Sequence, residues 1–434
     1  MREMIQSGVD WFPVIPHDWQ MGRLKNVIGI LTDYTANGSF GDLAKNVQYL
    51  DYEDYARLVR LTDLRENLQN AGVYVDKNSY DYLSKSKLYG KEILVANVGA
   101  YAGLFCEMPK PNIPATLGPN MFLIRTNETM YQHYLLYLGN AHFVWEQLIQ
   151  KGISSAQPKL NKTDVKTVYI PIPPLRDQLM IANFLDVKNA QIDDLSADIQ
   201  SQIETLEQYK RSVITAAVTK GLNPDVDMKD SNVKWIGKMP AHWECIRGKY
   251  LLRYIQKPIR ETDGVITCFR DGEVTLRSNR REDGFTMADK EIGYQGIDVG
   301  DLVVHGMDGF AGAIGISDSR GKASPVLNVL GTKQNKRYIM YYLRSMAYSD
   351  VFIAMATGIR VRSCDLRWNK LAELQYPVPP IDEQVAIVKY IDTVIQKTDA
   401  VIADKKTQLE TLDEYKKSLI FEYVTGKKEV PTHE

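Results

Sequence analysis

The side chains of this sequence best suited to chemistry are arginines, lysines and amides scattered through polar loops, and the chemistry they suit is the reading of base edges and phosphates. In the second half of the chain they are Arg270, Arg277, Arg280, Arg281, Arg360 and Arg362; in the first half they are Arg57, Arg60, Lys85, Lys87, Gln157 and Lys159. A guanidinium fork can grip guanine N7 and O6, a carboxamide can pair with adenine, and lysine mostly fixes register on phosphate. Each bidentate arginine contributes about 1–3 kcal/mol of discrimination against the wrong base. A single one of these cations is no more than a solvated surface charge; as a set they point to nucleic acid.

Nothing else in the sequence has the spacing of a catalytic site. There is no GxxxxGK[ST] loop, no HExxH and no strand-linked GxGxxG, and the proline pairs are not the Asn-Pro-Pro-aromatic motif of a base-modifying methyltransferase. Pro224, Asp225, Asp227 and Lys229 are crowded into a linker, too close together for a nuclease centre, and the six histidines have no metal-ligand spacing. Catalysis by this chain alone is not expected, and no metal or cofactor is assigned to it.

The loops must be held by something, and the sequence names it twice. Pro171–Thr219 returns without a gap, 206 positions later, as Pro377–Thr425, with 19 identities in 49 aligned positions. Pro173/Pro379, Pro174/Pro380, Gln178/Gln384, Leu206/Leu412, Tyr209/Tyr415, Lys210/Lys416 and Ser212/Ser418 are among them. Trp11, Pro16 and Trp19 also recur as Trp235, Pro240 and Trp243, but at an offset of 224, so the first intervening segment is 18 residues longer (224 − 206) than the second. The frame repeats while its filling differs.

Between Asp177 and Thr219, and between Asp382 and Thr425, there is neither proline nor glycine; prolines precede each stretch and Gly221 or Gly426 follows. This predicts two long helices, about 176–219 and 382–425. Apolar residues fall at Ile181, Leu185, Ile192, Leu195, Ile199, Ile203, Leu206 and Val213 in one, and at Ile387, Ile391, Val394, Val401, Leu409, Leu412 and Leu419 in the other. That is a coiled-coil seam with a stutter. Some 44 residues make a rod of roughly 66 Å, which needs a partner. An intramolecular antiparallel pair is expected, because each globular segment leads directly into its own helix; the alternative is that each helix packs only on its own globular domain.

The globular segments read as mixed α and β. Strands are expected at Ala56–Leu61, Lys91–Val98, Gly264–Arg270 and Val299–His305, and helices at Tyr131–Ile149 and Lys336–Met355. Gly90–Gly103 and Gly300–Gly312 share one layout: an apolar strand, then a glycine-rich loop carrying Tyr101 or Phe310. The expected fold class is α+β, with two mixed α/β domains separated by two long helices and related by an internal pseudo-two-fold repeat. The borders are 1–170 for the first domain, 171–231 for a central repeated region, 232–376 for the second domain and 377–434 for a distal repeated region.

Composition permits this. The chain has 434 residues, 44% hydrophobic and 25% charged, with a net charge of −1. Cations sit in the variable parts: Arg23–Lys166 carries 16 basic and 14 acidic residues and Glu244–Glu373 carries 20 and 16, whereas Arg176–Thr219 carries 4 and 7 and Asp382–Thr425 carries 6 and 9. Cys106, Cys245, Cys268 and Cys364 are far apart, which suits reduced thiols. No apolar run is long enough for a membrane span and MREMIQSGVDWF is not a signal peptide, so a cytoplasmic protein without membrane partners is expected.

Together these residues resemble the specificity subunits of type I restriction-modification systems. The resemblance covers nearly the whole chain and rests on WFPVIPHDW and WIGKMPAHWE, on KGISSAQPKLNKTDVKTVYIPIPPLRDQ and TGIRVRSCDLRWNKLAELQYPVPPIDEQ, and on QYKRSVITAAVT and EYKKSLIFEYVT, in duplicated order. It implies two target-recognition domains, each reading one half of a bipartite asymmetric site in double-stranded DNA. It also implies two modification subunits docked on the helical region, which methylate adenine from S-adenosylmethionine, and restriction subunits, reached through them, that use ATP and Mg2+. None of those activities is expected in this chain. The loops with Ser154, Ser155, Gln157 and Lys159, and with Arg360 and Arg362, match the family motif where DNA contacts are expected. Two rival readings are a self-sufficient nuclease or methyltransferase, and a protein-binding scaffold that does not touch DNA.

Overall fold

The computed structural model describes residues 3–152, 158–280, 292–355 and 366–431. It divides into two compact units, Met1–Asp198 with Gln408–Glu434, and Ile199–Thr407. Each unit therefore holds one globular segment and one end of each long helix.

The first unit opens on a hairpin, Met4–Gln6 against Val14–Pro16. Its main sheet is antiparallel, in the order Phe105–Glu107, Ile93–Ala96, Met121–Thr126, Ile28–Asp33. A second sheet of five short strands contains one parallel pair, Ala56–Val59 with Ala115–Leu117. The second unit repeats the hairpin (Met228–Asp230 with Lys238–Pro240) and the main sheet, in the order Ile314–Ile316, Leu302–His305, Leu327–Thr332, Leu252–Ile255. In place of the five-stranded sheet it carries two antiparallel pairs, Ile266–Cys268 with Val274–Leu276 and Gln295–Ile297 with Gly321–Ala323. Frame and filling thus separate in the structure as they do in the sequence.

The long helices run Leu175–Lys220 and Ile381–Val424. Each stops at a glycine in the left-handed region, Gly221 (φ +75°) and Gly426 (φ +70°), which lets the chain turn onto a tryptophan and a proline, Trp243 and Pro240 or Trp19 and Pro16. Pairing is antiparallel within each unit. In the first, Phe184 meets Tyr423 (ring centroids 4.6 Å) and Asp193 meets Lys416 (2.6 Å). In the second, Gln202 accepts from Lys405 and Asp399 meets Lys210 (2.7 Å). Asp193/Asp399 and Lys210/Lys416 are repeat equivalents, so one sequence element makes the same bridge in both units. Each helix end also enters its unit's core: Ile181, Leu185 and Ile192 with Leu419 and Val424 in the first, Ile214 and Val218 with Ile387 and Ile391 in the second.

Three expectations need correction. Leu195 and Val401 do not join the seam; they are 48% and 45% exposed. The seam steps by four at this point, through Ser196, whose hydroxyl donates back to the Ile192 carbonyl, and through buried Ile402. Tyr131–Ile149 is not one helix but two, Gln132–Gly139 and His142–Gly152. Asn140 breaks it, because its carboxamide accepts from the Phe105 amide and donates to the Phe105 carbonyl as a neighbouring strand would. Lys336–Met355 likewise splits into Lys336–Tyr348 and Val351–Ala354 at Asp350, which has a φ of +54°.

Candidate nucleic-acid interface

The helix ends hold the reading domains through one set of contacts used twice. Trp19 Nε1 donates to Asp177 (3.2 Å) and Trp243 Nε1 to Glu383 (3.1 Å). Buried Gln178 accepts from the Tyr131 amide and donates to the carbonyls of Thr129 and Pro173; buried Gln384 accepts from the Asn335 amide and donates to Gln334 and the Pro379 carbonyl. Tyr134 donates to the Val424 carbonyl and Tyr338 to the Val218 carbonyl, which ties each domain to the helix arriving from the other repeat. These buried polar groups are all satisfied, as an interior requires.

In the first unit the candidate readers part company. Arg57 is buried: its guanidinium donates to the carbonyls of Leu68 and Asn70 and lies 3.6 Å from Asp63, so it organises the loop after Leu61–Arg65 instead of offering itself to DNA. Burial removes it from the candidate base readers: every residue of Ala56–Val59 is buried, so a side chain on either face of this strand meets protein. Arg60 forms a two-pronged pair with Asp63 (3.1 Å for each prong). Burial works against the Asp63 carboxylate, yet hydrogen bonds from Arg60 and Asn70 hold its pKa below the ordinary range. Lys85 donates to the Ala36 carbonyl, and Lys87 lies over the Tyr80 ring within 3.4 Å of Asp81. Tyr101 is 47% exposed, with Arg65 over its ring (4.9 Å) and donating to its hydroxyl. Exposed Lys159 forms a bridge with Val98 and borders an open groove of about 1050 Å³ that also includes Phe40, Asn97, Asn120 and Lys162. Ser154, Ser155 and Gln157 lie outside the described residues.

In the second unit Arg270 pairs with Asp308 (2.9 Å) and stays well exposed. Arg280 stacks on Phe269 (4.2 Å) and bridges Asp271 (2.6 Å) and Glu273 (3.1 Å). Arg277 reaches Thr267 Oγ1 at 3.4 Å. Phe310 is half-buried against the domain core, unlike exposed Tyr101 at the matching place in the glycine-rich layout. The Gly-Phe-Ala turn lays one side of the ring on the core, where burial of apolar surface is favoured. Arg281, Arg360 and Arg362 lie outside the described residues. Away from these, Arg320 and Lys257 clamp Asp263, Asp298 and Asp301, and the two cations lower the Asp298 pKa to about 2. That network braces the strands and presents no open donor set.

Among the described residues, no group of three or more His, Cys, Asp or Glu side chains is placed to hold a metal ion, and no helix is long and apolar enough to cross a membrane. What the loops present is a series of cations held by carboxylates at the surface. A phosphate can take the place of such a carboxylate with little rearrangement, since the guanidinium is already oriented.

Comparison with known proteins agrees. Residues 16–205 match the family model described as type I restriction modification DNA specificity domain. The chain is 25% identical to the MjaX specificity subunit assigned to a type I restriction enzyme of Methanocaldococcus jannaschii, over 96% of its length and 95% of the relative's. It is 22% identical to the type I restriction enzyme EcoBI specificity subunit of Escherichia coli, over 98% and 89%. Over nearly its whole length the chain is thus similar to type I restriction enzyme specificity subunits. A solved chain from a structure concerned with complex assembly and conformational transition of the type I R-M system shares the fold, with a TM-score of 0.66, 15% identity, and coverage of 95% of this chain and 99% of that one.

Phe40, Lys162 and Trp145 border these sites without being singled out by composition or spacing. Phe40 is 78% exposed and borders the groove. An apolar residue directly after a helix-capping serine, within a polar run (ANGSFGD), was the available signal. Trp145 could not have been found, because its exposure follows from the break at Asn140 that splits the expected helix.

Proposed function

We propose that this chain is the non-catalytic DNA-recognition subunit of a cytoplasmic type I restriction-modification complex, in which each globular domain reads one half of a bipartite site. The observation that carries the reading is the duplicated junction: Trp19/Trp243, Gln178/Gln384 and the Asp193–Lys416 and Lys210–Asp399 bridges attach two unlike domains through the same contacts, each within its own unit. A frame kept twice around divergent fillings suits a protein that must attach two different readers in the same way. The chain carries no cofactor of its own. S-adenosylmethionine serves the two modification subunits, which dock on the helices and methylate adenine; ATP and Mg2+ serve restriction subunits that join through them.

The long helices act as the spacer element. Neither contains glycine or proline from Leu175 to Lys220 or from Ile381 to Val424, so each is a stiff rod. A helix of roughly 66–69 Å matches at most about 20 base pairs of duplex, which bounds the spacer such a strut could set. Inserting one helical turn between Gln191 and Leu206, with a matching turn in the distal helix, is expected to lengthen the non-specific spacer in methylated sites. An unchanged spacer in a complex that still methylates would reject the strut.

A further inference from the structure

The loop Gly99–Gly103 (GAYAG) is built of residues too small to fill the space beneath it. Gly99 (φ +88°) and Gly103 (φ +93°) take left-handed conformations, and a Cβ on Gly103 would already touch Leu148 and Trp145. The result is a pocket of about 170 Å³ between this loop, Trp145, Leu148, Pro158 and Leu160. Its side chains are wholly apolar. Its surroundings are not: Arg65 caps Tyr101 on the loop itself, and Lys159, next in sequence to two lining residues, borders the larger groove. Trp145 is 44% exposed at its edge. The matching loop of the second domain differs, since its Phe310 is half-buried against the core.

We infer that this pocket takes the C5-methyl group of a thymine in the half-site read by the first domain, and so makes one A·T pair of that half-site a fixed base. The inference rests on the DNA-recognition reading above. In the major groove the thymine methyl is the apolar handle that distinguishes one base pair from the other three, and it is recognised by apolar contact without a hydrogen bond. The flanking cations meet the phosphates on either side of it. Tyr101, held by Arg65, sets the loop against the groove wall.

The test uses the complex of this chain with its modification subunits and a synthetic duplex carrying its own methylation site, identified by sequencing methylated adenines. Each thymine is replaced in turn by deoxyuridine, which lacks only the methyl group. One replacement is expected to weaken binding about four-fold, the value of one buried methyl. Ala102→Leu, which fills the pocket, should weaken the thymine duplex by a similar factor and make the complex indifferent to that same replacement. Trp145→Ala, at an exposed ring, should lower the thymine preference in the same way and serves if Ala102→Leu does not fold. Uracil tolerated at every thymine, or a thymine preference that survives both variants, overturns the pocket assignment. A wild-type complex that methylates no bipartite site brings down the DNA-recognition reading and the pocket with it.

Discussion

The two halves of this molecule make the same attachment with different chemistry at one point. In the first unit Asp186 accepts from Tyr137 and from His133, whose other ring nitrogen meets Glu107. In the second, Asp392 accepts from Tyr341 and from Arg337. The tyrosine and the aspartate are kept, and the cation changes from one that titrates near neutrality to one that does not. A duplicated frame therefore preserves geometry first and charge second, and only one of the two readers is tied down by a group that pH can switch.

The largest effect should come from the shared tryptophans. Trp243 is fully buried and Trp19 nearly so, and Trp243→Ala or Trp19→Ala should each destabilise its own unit by about 3–5 kcal/mol. Hydrogen exchange read separately over the two units checks this, and equal loss of protection in both units after a single substitution would show that the halves do not fold as separate units. Next come the buried glutamines. Gln178→Leu or Gln384→Leu removes a hub and leaves a buried backbone amide unpartnered, at about 1–3 kcal/mol in denaturant melts; a neutral result at one site alone would break the equivalence of the two junctions.

The pH response separates the halves. Burial opposes the charged form of His133, but hydrogen bonds to Asp186 and Glu107 and their charges raise its pKa above the ordinary 6.5. Tyr131 and Tyr137 are the rings against it. A raised histidine pKa contributes stability that is complete below about 6.5 and is lost as pH rises through the folded value. Protection of the first unit should therefore fall between neutral and mildly alkaline pH while that of the second stays level, and His133→Arg should flatten the first. The smallest effect belongs to the exposed bridges. Asp193→Asn and Asp399→Asn should each cost no more than about 1 kcal/mol and lose even that in high salt.

Much of the frame was legible because its signals are local. The absence of glycine and proline over forty-odd residues, with prolines before and glycine after, placed both long helices to within a residue of Leu175–Lys220 and Ile381–Val424. The seam was legible in period but not at Leu195 and Val401, because which of two adjacent positions turns inward depends on the partner helix. The breaks at Asn140 and Asp350 were hidden, since one arises from a contact with the distant Phe105 backbone and the other from a left-handed residue of ordinary type. The candidate readers were the least legible. Arg57 lies in an apolar strand run and Arg280 in a polar one, but both carry the same guanidinium, and tertiary contact shows that one is buried and the other stacked at the surface on Phe269.

The independence of the two readers is tested most directly by exchange. Replacing Gly22–Val168 with the corresponding segment of a relative that methylates a different site, and sequencing methylated adenines in cells that supply the modification subunits, should yield a hybrid site in which one half is new and the other unchanged. Methylation in which both halves change, or in which neither does, would contradict the account.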